Sequence, residues 1–271
     1  MSLNNRTGRK RDYVGVLSSV FAIVIGLLVG FVILLICNPS QALPGFVTIL
    51  TGAFTHGLKG VGQVFYYATP IILTGLSVGF AFKTGLFNIG TPGQFIVGAF
   101  AAVYVGIMWT GLGRIQWAVA LLAAILGGAL WGIVPGFLKA CFNVNEVIAS
   151  IMMNYIGMYM VNWIVKSYKP LFNNLRNESR NVAATAQIPK MGMDKLFPES
   201  SVGGGILLAI AAVLLIWVIL NKTTFGYELK AVGFNRDAGR YAGINEKRNI
   251  IMSMVIAGAI AGMAGGLLYL A

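Results

Sequence analysis

Two side-chain amides, Asn88 and Gln94, lie within the stretch GLFNIGTPGQF that runs from Gly85 to Phe95. Three further polar residues, Glu146, Ser150 and Asn154, recur every four positions. A spacing of four puts side chains on one face of a helix. Amides and hydroxyls offer neutral donors and acceptors, so their chemistry is hydrogen bonding, either between helices or to an uncharged polar solute. No Ser/His/Asp or Cys/His set accompanies them, and G-x-x-x-x-G-K-[ST], the phosphate loop that cradles ATP, is absent. Glu146 and Lys83 stand alone near apolar runs, and no pair of carboxylates forms a proton relay. The single histidine, His56, lacks a second metal ligand, so no metal site is expected.

The elements that position these groups follow from composition. The 271 residues are 57% hydrophobic and 10% charged, against about 25% charged in soluble domains. Unbroken apolar runs recur at the roughly 20-residue length that a bilayer core requires of a helix, and they lack the alternation of a β-barrel. The fold expected is an all-α integral membrane protein, a polytopic transmembrane helix bundle and one domain over 1–271. Seven spans read as Val14–Cys37, Val64–Phe82, Gly93–Trp109, Ile115–Leu138, Glu146–Val165, Gly204–Leu220 and Ile250–Ala271. The first is too long for the roughly 7–15-residue apolar region of a signal peptide.

The net charge of +12 is explained by loops. With the amino terminus inside, twelve cations fall in cytoplasmic segments: Arg6, Arg9, Lys10, Arg11, Lys83, Lys139, Lys222, Lys230, Arg236, Arg240, Lys247 and Arg248. Eight fall outside, six of them in an extracellular loop over 166–203, the others being Lys59 and Arg114. That asymmetry favours a cytoplasmic amino terminus. No basic stripe for nucleic acid is read from it. Cys37 and Cys141 end different spans at opposite faces, too far apart for a disulfide.

Glycines recur every four residues at Gly128, Gly132 and Gly136, at Gly258, Gly262 and Gly266, and as the pair Gly26 and Gly30. Such spacing lets helix backbones approach closely, either as fixed packing or as faces that slide. In TPGQ, Thr91 as N-cap, Pro92 at N1 and Gln94 at N3 make a capping box that starts a helix. The glycine-rich approach is either a short loop at a membrane edge or a broken helix dipping inward, which would set Asn88 and Gln94 beside a pathway. The face of Glu146, Ser150 and Asn154 reads in the same two ways, as interhelical bonding or as a polar stripe on that pathway.

Three stretches resemble a known family. ILTGLSVGFAFKTGLFNIGTPGQFIVGAF carries a G-L-F-N-I-G-x-x-G-Q core, and NVNEVIASIMMNYI and TTFGYELKAVGFNRDAGRYAGI follow in the same order. Together they resemble the permease subunits of bacterial ABC importers, in the branch for simple sugars, branched-chain amino acids and nucleosides, with nucleoside-type members nearest. The resemblance implies that 221–249 is a cytoplasmic coupling segment docking to an ATP-binding-cassette ATPase. Its implied contacts are Phe225, Gly226, Glu228, Leu229, Ala231, Val232, Gly233, Asn235, Ala238 and Gly243. Phe225, Leu229 and Val232, at i, i+4 and i+7, suit a helix laid in a groove. A solvated loop is the alternative.

The same resemblance implies a second permease subunit, a solute-binding protein outside, the cytoplasmic (inner) membrane as location, and ATP and Mg used by the partner with no cofactor on this chain. It also implies a longer permease of which this chain would be a part. The protein itself would be no enzyme. Few intramembrane charges favour a neutral solute, with nucleosides ahead of sugars and branched-chain amino acids. An ion-coupled secondary transporter would use the NIGTPGQ break as its ion site.

Overall fold

The computed structural model describes residues 13–271. Its helices are α1 (Tyr13–Cys37), α2 (Pro39–Thr55), α3 (Leu58–Lys83), α4 (Thr91–Met108), α5 (Gln116–Phe142), α6 (Glu146–Ser167), α7 (Met193–Leu196), α8 (Gly205–Lys222), α9 (Thr224–Phe234), α10 (Arg236–Tyr241) and α11 (Glu246–Tyr269). A two-residue antiparallel hairpin, β1 (Phe172–Asn173) with β2 (Glu178–Ser179), pairs Phe172 with Ser179. Among the described residues seven helical stretches are long and apolar enough to cross a membrane, as the sequence implies: Leu17–Cys37, Leu58–Lys83, Thr91–Met108, Thr110–Phe142, Glu146–Ser167, Gly205–Lys222 and Glu246–Tyr269. The basic cluster Arg6–Arg11 lies outside the described residues.

The chain divides after Gly60 into two compact units. In the first, α1 and α2 pack together through Phe31 and Phe46, whose ring centroids are 4.9 Å apart. The helix α2 was not anticipated. Pro39 stands at its start and Pro44 within it, and its 17 residues are too few and too polar to read as a span. Thr48, Thr51 and Thr55 each donate to the carbonyl four residues back, which satisfies their hydroxyls inside the helix. Gly26 and Gly30 have the four-residue spacing but nothing within 4 Å of where a side chain would start.

The second unit is built on α4, α5 and α11. A Cβ on Gly258 would run into the Gly128 carbonyl, one on Gly262 into the Ala124 carbonyl, and one on Gly98 into the Gly262 backbone. Backbones therefore touch where glycines face each other, giving the packing that small residues provide in membranes. Around this seam Ala124, Ala257, Ala261 and Ala264 are wholly buried. On α3, Ser77 donates to the Ala257 carbonyl at 2.7 Å and the hydroxyls of Thr84 and Ser253 bond to each other, tying that helix to α11. At the other end of α3, Tyr66 reaches the Leu268 carbonyl at 3.2 Å. α6 lies against α5 through Gly157 and Trp131, whose indole donates to the Met153 carbonyl at 3.2 Å.

The second unit has two polar ends. At the hairpin end, residues 168–204 are tied down: Ala183 N donates to Gly106 O at 3.0 Å, Ile188 N to Leu270 O at 2.8 Å, and Leu171 and Val202 are buried. Gln116, fully buried, donates to the Val105 and Gly106 carbonyls and accepts from Thr185. This loop closes over the ends of α4, α5 and α11. At the α9 end lie the α3–α4 connection, the α5–α6 turn, α9 and α10.

Candidate functional site

The α3–α4 connection is an ordered turn held by side chains. Gly85 has φ of +70°, a left-handed backbone that glycine adopts without penalty. Asn88 Nδ2 donates to Gln94 Oε1 at 3.0 Å, and Gln94 Nε2 returns a bond to Asn88 Oδ1 at 3.3 Å. Asn88 Oδ1 also accepts from Gly90 N at 3.0 Å. Both amides are buried, 1% and 0% exposed. They satisfy each other, as buried polar groups must. In this conformation neither is left free to face a pathway.

The expected capping box is replaced by a different device. α4 begins at Thr91 with Gly90 as N-cap, and no side chain caps it from within its own first turn. Asn154 of α6 does so instead: its Oδ1 accepts from Gly93 N at 2.8 Å and its Nδ2 donates to Ile89 O at 2.9 Å. Ile89 O and Gly93 N are the pair that one further helical bond would have joined. The Asn154 amide bridges them, supplying a partner for one of the orphan donors of a helix start. Gly93 makes this possible, because a Cβ there would lie 2.9 Å from Asn154 Cα. Ser150, one turn earlier on α6, is fully buried against Gly90, and its hydroxyl has no hydrogen-bond partner.

Glu146 departs from that face. It pairs with Lys139 at 2.8 Å across the α5–α6 turn, with both side chains mostly covered. So Ser150 and Asn154 join the α4 contact, whereas Glu146 closes a turn. Asn145 caps α6 by accepting from Val147 N at 2.9 Å.

The segment 221–249, expected to couple to an ATPase, folds as the two short helices α9 and α10, and the apolar residues expected to dock face this chain's own core. Leu229 and Val232 are 0% and 2% exposed and belong to the protein's own core, with Phe225 packed against them. They anchor α9 to this chain and are not open to a partner. The same is true of Gly226, whose Cα lies against Ile219 and Leu220 of α8. Outward face Tyr227, Phe234 and Tyr241, the last two more than nine-tenths exposed. A groove between α9 and α10 is lined by Thr224, Glu228, Ala231, Asn235, Ala238 and Ile244. Glu228 accepts from Asn249 of α11 at 3.2 Å. Asn235 caps α10 by accepting from Ala238 N at 3.1 Å, and Gly243 turns the chain with φ of +80°.

Gly233 also points inward. A Cβ on it would lie 2.8 Å from Lys83 O and 3.0 Å from Gly85 N, and a Cβ on Gly85 would lie 2.9 Å from Gly233 O. α9 thus rests directly, backbone on backbone, on the turn that carries Asn88. Sequence reasoning singled out both glycines without linking them, since they are far apart in the chain. Ser77, Thr84, Gln116, Asn249 and Ser253, all buried and bonded, were missed because single polar residues inside apolar runs carry no local signal. Among the described residues no His, Cys, Asp or Glu cluster could hold a metal, and both cysteines are free and exposed.

The described residues thus form a bundle of membrane-length helices with neutral buried amides and a pair of short helices at one end. Residues 60–271 match the family described as branched-chain amino acid transport system, permease component, and the chain belongs to that family. It is 42% identical over 246 residues to the guanosine ABC transporter permease protein NupP of Bacillus subtilis, covering 91% of this chain and 69% of that one. It is 34% identical to the nucleoside ABC transporter permease protein NupB of Lactococcus lactis, covering 98% and 72%. A third relative is the glucose ABC transporter permease protein TsgB13 of Haloferax volcanii, at 31% identity over 81% of this chain and 58% of that one. No solved structure matches the chain. These relatives are transport permeases, not enzymes.

Proposed function

We propose that this chain forms one half of the membrane pathway of an ATP-driven importer for nucleosides. The observation that carries the reading is the similarity to a guanosine and a nucleoside permease over nine-tenths or more of the chain. Partners would be an ATP-binding-cassette ATPase that uses ATP and Mg, a second permease subunit and a solute-binding protein. The chain would sit in the bacterial cytoplasmic membrane with its amino terminus, α9 and α10 inside and residues 166–203 outside, in keeping with the cation count.

In this reading ATP-driven movement of the partner reaches α9 at its exposed face. α9 is anchored to the bundle by Leu229 and Val232, so the movement passes to the α3–α4 turn through Gly233 and Gly85. That turn holds the amide pair Asn88–Gln94 and, through Asn154, the junction of α4 with α6. The test is uptake of radiolabelled guanosine into cells carrying the complete importer. Uptake should persist when a protonophore collapses the ion gradient and stop when the ATPase subunit is inactivated. Dependence on the gradient would favour the secondary-transporter alternative, and uptake of labelled glucose with none of labelled guanosine would move the substrate to sugars.

A further inference from the structure

The helices α4 and α6 meet along a crevice whose two ends differ. At the α9 end Asn154 closes it onto Gly93 and Ile89. Toward the hairpin end it opens into a cavity of about 230 Å³. Its walls include Ile96 and Phe100 of α4, Met158 and Asn162 of α6, Ser179 of the hairpin and Tyr269 of α11. Four separate elements therefore converge on it. Phe100 is the aromatic ring that α4 contributes to its wall.

The polar groups of this cavity are unused. The side chains of Asn162, Ser179 and Tyr269 make no hydrogen bond with any described residue, and Asn162 and Tyr269 are exposed where the cavity is open. An amide left open on a membrane-spanning helix is costly against lipid, and such groups mark solute pathways. A mostly apolar, partly open pocket with a few convergent polar groups is the form that small-molecule sites take. No charged side chain lines it, so it lacks a counter-ion for a zwitterionic amino acid.

We infer that this cavity is a nucleoside-binding pocket in the half of the pathway remote from α9. Resting on the nucleoside reading above, it assigns roles to particular side chains. The Phe100 ring is the flat wall against which the base lies. Asn162, with both a donor and an acceptor, reads the base edge. Ser179 and Tyr269 offer hydroxyls to the ribose. The Asn154 closure then forms the floor that keeps a bound nucleoside from passing on.

The experiment uses the assembled importer. Asn162→Leu and Phe100→Ala should each raise the KM for guanosine uptake by tenfold or more. In a background with Cys37→Ser and Cys141→Ser, Asn162→Cys should react with an impermeant methanethiosulfonate, and guanosine should slow that reaction at least fivefold. This labelling decides the matter if the leucine variant fails to assemble. Unchanged KM in both variants, or labelling that guanosine does not slow, overturns the pocket while wild-type guanosine uptake leaves the proposed function standing. A wild-type importer that carries no nucleoside overturns the proposed function itself, and the nucleoside assignment of the pocket with it.

Discussion

Two of the glycine contacts in the second unit are built for different duties. The first joins α5 to α11 through Gly128, Gly258 and Gly262, deep in the bundle, with both backbones in regular helix. The second joins the α3–α4 turn to α9 through Gly85 and Gly233, at the end of the bundle, with Gly85 in a left-handed conformation. In both, a missing Cβ lets main chain touch main chain. In the core, neighbours on every side fix the contact, so it behaves as rigid packing. At the edge it lies between a turn and a short helix with an exposed aromatic face, so it can carry displacement.

That contrast predicts a graded series. Gly258→Leu should be the most damaging change, because the added side chain meets the Gly128 main chain and not a flexible group. Overpacking costs about 1–3 kcal/mol where neighbours can yield; here the expected result is loss of folded protein, measured as monodisperse yield after detergent extraction. Gly26→Leu is the control, with open space around it, and should give near wild-type yield. Equal yields from the two would remove the distinction between spacing and contact.

Next in size is the edge contact. Gly85→Ala puts an L-residue in the left-handed region at roughly 1–2 kcal/mol and also crowds Gly233. The spans should stay folded while guanosine uptake falls tenfold or more and ATP hydrolysis continues. Paired assays of uptake and hydrolysis on the same vesicles would show this; losing both in proportion to protein yield would make the edge contact another piece of rigid packing.

Asn154→Leu should come third. It leaves Gly93 N and Ile89 O without their partner, a penalty of about 1–3 kcal/mol, and weakens the α4–α6 junction. A lowered thermal midpoint with reduced uptake is expected, read by fluorescence-detected size exclusion after heating. The smallest effect on the fold belongs to Phe234→Asp, since an exposed side chain changes stability by about 0.5 kcal/mol or less. Its consequence should appear in the assembly, as weaker co-purification of the ATPase. Retained co-purification would mean that the exposed aromatic face of α9 is not where the ATPase binds.

How far the sequence could foretell this molecule depends on the range of the interaction. Span lengths are a local property, so Val64–Phe82 and Ile115–Leu138 anticipated α3 and α5 to within a few residues of their cores. α2 escaped because its prolines, glycines and threonines read as a connection. Asn88, Gln94 and Asn154 were recognisable as residue types able to hydrogen bond. Their partners were not, since Asn154 reaches 61 and 65 positions along the chain. Leu229 and Val232 show the limit of an amphipathic pattern: periodicity marks an apolar face but cannot say whether it meets its own core or a partner. Glycine spacing has the same ambiguity, marking Gly26 and Gly258 alike.

The Asn154 bridge also installs a reporter. The Gly93 amide proton has its hydrogen bond to α6 and none to its own helix, so it is shielded only while α4 and α6 stay together. Its exchange with deuterium should therefore track separation of those two helices, on the minutes-to-hours scale that hydrogen exchange reads. Neighbouring α4 amides, bonded within the helix, would exchange more slowly and serve as the internal reference. One backbone proton would then give the fraction of time the crevice floor is open, in the resting importer and during turnover.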